Sequence, residues 1–212
     1  MYIPKHFQEL NKDKLIELIG QYPFASLITH TASGIEVNHL PFYLQKKEGE
    51  SALFSHIAKA NPLWKTVPAG AEILIVFNGP NAYISPNYYP SKQEHGRAVP
   101  TWNYVAVHVK GTIKFLHNNE NKLAVVSALT NLQEAHQPTP WSVSDAPSMY
   151  IEKMLSAIVG VEVEITSITG KWKVSQNQSL ENQQGVINGL ATSGEMPLTD
   201  LASIMTEAIS ID

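Results

Sequence analysis

Hydrophobic residues take helical spacing from Lys12 to Gly20, where Leu15, Ile16, Leu18 and Ile19 share one face and Pro23 prevents continuation. The pattern then becomes alternation. Phe24 to His30, a turn at Thr31–Gly34 and an extended run from Ile35 to Leu44 predict a hairpin, followed by a turn at Lys46–Glu50 and a third strand over Ala52–His56. That strand runs into Asn61-Pro62, a capping residue and a first-turn proline that predict a short helix to about Val67. Ala71 to Asn78 reads as a buried strand closed by Gly79-Pro80, with Ala82–Ser85 as a short partner beyond it. After a proline-rich loop over Pro86–Pro100, alternation returns from Trp102 to Leu116, with Gly111 as the expected site of a bulge. Helices are predicted at Lys122–Glu134 and Ser148–Ile158, a strand from Val159 towards Val174, and closing helices at Leu180–Leu190 and Thr199–Ile209. Many short strands with later helices predict a mainly β fold, a small closed or split barrel with helices packed outside.

The composition narrows the chemistry. With 43% hydrophobic residues over 212 positions the chain can build a real core, and with no Cys a thiolate metal site, an iron–sulfur cluster and a thiol nucleophile are excluded. The densest apolar run, Ile73–Phe77, is far short of the ~20 residues a membrane helix needs. The expectation is a soluble cytoplasmic protein with no membrane partner. A net charge of −4 supplies no general attraction to nucleic acid.

Eight histidines are scattered, with no spacing that predicts a metal site, and none is assigned. No phosphate loop, dinucleotide fingerprint or nucleophile elbow occurs. Gly185 and Gly189 are a spaced pair of little weight. An anion could sit where Ser55-His56 leads to Asn61-Pro62, since a helix start offers free N–H groups and Lys59 and Lys65 add charge; an ordinary capped helix is the alternative. The strongest signal is the pair of segments Asn78–Pro86 and Pro100–Tyr104, whose aromatics, amides and hydroxyls suit a planar heteroaromatic ligand, or else cover the core at strand ends.

These segments carry a resemblance. Met1-Tyr2-Ile3-Pro4-Lys5-His6-Phe7, Ala60-Asn61-Pro62-Leu63-Trp64, Phe77 to Pro86, Tyr89-Pro90-Ser91-Lys92, Val99 to Tyr104, and Ser175-Gln176-Asn177 followed by Gly185 to Leu190 occur in order along the chain. Together they resemble the PaiB family, described as FMN-binding negative transcriptional regulators, of the split-barrel superfamily related to pyridoxamine-phosphate oxidase. The resemblance implies an FMN-binding split β-barrel with peripheral helices. It also implies one domain over residues 1–212 with a helical segment at 178–212, and a homodimer with FMN at the interface. Carried over by position, Ala25, Ser26, Leu27 and Ile28 would line the ring and Ser55, His56, Ala60 and Asn61 would surround the phosphate. Ala60 and Asn61 stand where the superfamily often has cations, so Lys59, Lys65 or Lys92 would supply the charge. Trp64 and Trp102 complete the expected cofactor contacts.

The regulatory label does not by itself imply DNA contact. After Lys173 the chain has no Lys or Arg, only Glu181, Glu195, Asp200, Glu207 and Asp212 as charged residues, and Arg97 is the sole arginine. A recognition helix needs cations for phosphates and donors for base edges, which argues against direct DNA reading. The alternatives are a flavin-dependent oxidoreductase, whose cavity would draw on Tyr83, Tyr88, Lys92, Trp102 and Tyr104, and a salt-sensitive DNA-binding repressor.

Overall fold

Alternation and helical spacing translate into eight strands and seven helices in the computed structural model, which describes residues 1–47 and 50–209. They run β1 (Gln8–Glu9), α1 (Lys12–Gln21), β2 (Phe24–Thr31), β3 (Gly34–Pro41), β4 (Tyr43–Lys47), β5 (Glu50–Ala58), α2 (Leu63–Thr66) and β6 (Glu72–Ile84). After them come α3 (Ser91–His95), β7 (Thr101–Leu116), α4 (Asn119–Glu134), α5 (Ser148–Ser156), β8 (Ile158–Lys173), α6 (Leu180–Ala191) and α7 (Met196–Ile209). The strands form one sheet in the order β3-β2-β6-β7-β8-β5-β4, with β1 pairing β8. Of the turn expected at Lys46–Glu50, Glu48 and Gly49 lie outside the described residues, as does Asp212.

Three expectations are corrected. The second arm of the predicted hairpin is two strands, because Phe42 turns into the core at 1% exposure and its N–H donates to Pro23 O at 2.9 Å. β3 therefore pairs with β2, while β4 pairs with β5. Gly79-Pro80 closes nothing: β6 runs through it, with both residues buried side by side and the inside–outside alternation resuming in the opposite phase at Ala82 and Ile84. This is the burial signature of a bulge, a position that tolerates a proline without its N–H. Gly111, by contrast, keeps the alternation of β7 unbroken; a Cβ there would run into Glu164 O and Val163 Cγ1 of β8, so its role is to let the neighbouring backbone come close.

The chain divides into two compact units. The first is Met1–Lys12, Asn78–Val107 and everything from Thr169 on; its core includes Ile84, Val105, Val186, Leu190, Leu201 and Met205. The second is Asp13–Phe77 with His108–Ile168, built on Leu18, Ile19, Leu27, Leu53, Ile75, Phe77, Ile113 and Val161. No helix of the described residues is long and apolar enough to cross a membrane.

Candidate functional site

In the second unit, β2 lies between β3 and β6, with Ser26 opposite both His39 and Val76, and Ile28 opposite Val37 and Leu74. Side chains alternate across a strand, so Ala25 and Leu27 enter the core at 3% and 0% exposure while Ser26 and Ile28 stand on the outer face. Of the four residues expected along a flavin ring, two thus present side chains and two present only backbone. That outer face is apolar for a surface: Phe24, Ile35 and Val37 are 67%, 74% and 51% exposed. Within it Ser26 Oγ meets His39 Nδ1 at 3.2 Å, and the His39 ring stacks near Phe24. An apolar field that holds the Ser26–His39 pair, with His30 opposite Ile35 on the same face, suits a planar ring.

β5 leads to the joint where a phosphate is expected. The predicted cap forms, since Asn61 Oδ1 accepts from Leu63 N–H at 3.0 Å, although α2 spans only Leu63–Thr66. Asn61 Nδ2 donates to Asn38 Oδ1 at 2.7 Å, so this side chain is committed to bracing the joint. Trp64 braces it too: its Nε1 donates to Lys59 O at 3.0 Å and Lys65 Nζ lies 4.9 Å from its ring centre. Lys59, Ala60 and Lys65 are exposed. Nearby, Lys122 is buried with Nζ donating to Leu155 O at 2.6 Å, and burial, with the charge of Lys59 adding, lowers its pKa. Ser55 is fully buried and its Oγ has no hydrogen-bond partner. His56, pointing to the opposite face of β5, has an unpartnered buried Nδ1. The two exposed lysines, Lys59 and Lys65, are donors that fit a phosphate dianion at this joint.

Burial pushes the His56 pKa below the ordinary histidine value. The folded chain therefore resists a proton that the unfolded chain accepts near pH ~6.5, and the stability tied to the neutral ring is complete above that pH and declines as pH falls. In flavin-free protein, His56→Gln is expected to flatten the loss of stability between pH 7 and 5, where the wild-type excess slope is at most about 1.4 kcal/mol per pH unit. Urea midpoints at three pH values check this, and identical slopes for the two proteins would refute it.

In the first unit, the two segments singled out by composition lie together. Asn78, Gly79, Asn81, Trp102, Tyr104 and Val105 line a cavity of about 390 Å³, and Tyr83 meets Trp102 edge-on at 6.0 Å. The loop after β6 holds a 3₁₀ turn at Pro86–Tyr88 and the helix α3, and it is fastened to α6. A Cβ at Gly189 would overlap the Tyr88 ring and one at Gly185 would overlap Tyr88 O and Pro90, so the glycine pair is the seat for this loop. Ser91 N–H also donates to Asn182 Oδ1 at 3.3 Å. Lys92 Nζ is exposed and donates to Asn87 Oδ1. Below, Asn103 Nδ2 donates to Ser175 Oγ at 2.8 Å, leaving Asn103 Oδ1 buried without a partner. Ser175, the first residue of the Ser-Gln-Asn triplet, adopts φ +66° in the left-handed region. Burial raises the Tyr89 pKa, and a hydrogen bond to Ser175 opposes that rise.

Residue types alone did not bring forward His39, Asn38, or the pair Lys171 and Lys173. The available signal for the lysines was their Lys-x-Lys spacing on an alternating strand, which puts both on one face.

A family model described as "Putative FMN-binding domain" matches residues 1–167. The chain is 29% identical over 209 residues to the protease synthase and sporulation protein PAI 2 of Bacillus subtilis, covering 99% of this chain and 98% of that one. It is 30% identical over 243 residues to an uncharacterized protein of Emericella nidulans, covering 98% and 97%. Among solved structures, the FAD and heme binding protein of Mycobacterium smegmatis superposes with a TM-score of 0.60 at 14% identity, over 89% of this chain and 80% of that one. This last likeness shows a shared fold.

Proposed function

The chain belongs to the PaiB family of FMN-binding split-barrel proteins, and from that premise we propose that it is a cytoplasmic flavin sensor, a homodimer that grips FMN where two copies meet. In this reading residues 1–212 act as one flavin-binding module, with 178–212 its helical tail. The observation that carries the proposal is the outer face of β2 and β3, an exposed apolar field around Ser26 and His39 on a family member that binds FMN. Contiguous apolar surface of this kind marks a contact site. Ser26 and Ile28, with the backbone of Ala25 and Leu27, would lie along the ring. Lys59 and Lys65 would face the phosphate beside His56 and the Ala60 backbone, with Ser55, Asn61 and Trp64 holding the joint. Bound FMN supplies one- and two-electron redox chemistry; the residues named here bind and orient it.

Regulation would run through a partner protein. The described residues after Lys173 carry no cation, so α6 and α7 offer phosphates only acidic or neutral side chains. A second reading, an oxidoreductase acting on a small molecule, is favoured by the open cavity at Trp102 and Tyr104.

The phosphate placement has a direct test. Lys59→Glu with Lys65→Glu is expected to weaken FMN at least ten-fold by fluorescence titration, while riboflavin, which lacks the phosphate, binds as it does to wild type. Equal losses for both flavins, or none for FMN, would remove the phosphate from this joint.

A further inference from the structure

Lys171 and Lys173 are cations in the wrong surroundings for surface residues. Lys171 is 8% exposed; its Nζ donates to Tyr2 O at 3.2 Å and lies 5.1 Å from the Tyr104 ring centre and 5.8 Å from that of Tyr2. Lys173 Nζ donates to Thr101 Oγ1 and Trp102 O. Carbonyls, a hydroxyl and ring faces are neutral partners, and no carboxylate of the described residues pairs with either amine. Burial, and then the neighbouring Lys171, lower the Lys173 pKa. Buried charge is costly unless it meets an opposite charge. The same β7 residues that touch the lysines, Trp102 and Tyr104, line the 390 Å³ cavity with the amides of Asn78 and Asn81.

We propose that this face of the first unit is a binding site for a planar aromatic oxyanion, such as an aryl carboxylate. The ring lies against Trp102 and Tyr104, ring substituents meet Asn78 and Asn81, and the anionic group faces Lys171 and Lys173. Binding needs no flavin. The inference rests on the oxidoreductase reading only for what such a ligand would then undergo, as the substrate class of that enzyme.

The test is calorimetric titration of the FMN-loaded protein with 2-naphthoate, uncharged 2-naphthamide and acetate, with the visible spectrum recorded throughout. Naphthoate is expected to bind at least ten-fold more tightly than either comparison ligand. Lys171→Met and Lys173→Met are expected to cost naphthoate five-fold or more and to leave naphthamide unchanged, whereas Lys110→Met, elsewhere on β7, changes neither. Equal affinity for naphthoate and naphthamide overturns the proposal, as do folded lysine variants that bind naphthoate like wild type. Release of FMN in step with naphthoate binding overturns it too, because the lysines would then serve the cofactor. Should a lysine variant fail to fold, the wild-type ligand ratios still decide. Wild-type protein that loses FMN on desalting counts against the flavin reading alone, and naphthoate preference in that sample still supports this site.

Discussion

Val37→Asp is expected to give a folded monomer that no longer retains FMN. Val37 sits on β3 opposite Ile28, on the outer face, and is 51% exposed in the single chain. An exposed position away from special features changes protomer stability by about 0.5 kcal/mol or less. In a homodimer closed over this face the same carboxylate would be taken out of water among Phe24, Ile28 and Ile35, with no cation to meet it, at a cost of several kcal/mol per buried ion. The two copies both carry the change, so the penalty is doubled across a two-fold interface. Sedimentation velocity with absorbance at the protein and flavin bands reads both consequences at once. A dimer that persists with bound FMN would refute the placement of the interface, and a monomer that keeps FMN would separate the cofactor from it.

The second large effect concerns the glycine seat of α6. Replacing a helix-interior Gly by Ala ordinarily gains about 1 kcal/mol of helix propensity. Gly20→Ala, near the end of α1 with nothing near its missing Cβ, is expected to realise most of that gain. Gly185→Ala is expected to do the reverse, lowering stability by about 1–3 kcal/mol net, because its Cβ would press on the Tyr88 carbonyl and the Pro90 ring, neither of which can swing aside. Thermal melts of the two variants would move in opposite directions, by about 2–4 °C per kcal/mol in a chain of this size. Similar shifts of the same sign would show that the loop does not rest on α6.

These two positions show where sequence reasoning succeeds and fails. Alternation over β2 and β7 and helical spacing over α1 were legible because each reports a local choice of face, and the elements formed where expected. Gly79-Pro80 and Phe42 misled because local punctuation competes with pairing. A strand already paired with β2 at Leu74–Val76 and with β7 runs on through a glycine and a proline with the burial signature of a bulge, and a buried aromatic divides a run that looks continuous. The candidate chemistry divides the same way. The aromatic and amide segments were visible as composition, and the capping role of Asn61 as a motif. Which neighbour a side chain spends its hydrogen bonds on was not visible. Asn61 turned to Asn38, 23 residues away, and Gly185 and Gly189 took their meaning from a tyrosine far back in the chain.

The first unit is stitched from the beginning, the middle and the last stretch of the sequence. Its aromatic loop has its seat on α6 and its amide partner at Asn182, 91 residues after Ser91. During synthesis the ribosome releases Trp102 and Tyr104 long before that helix exists, so this half of the protein can only assemble late, with its rings open to solvent or to chaperones in the meantime. The segments of Asp13–Phe77 already contain the β2–β3 and β4–β5 pairings and can begin to collapse first.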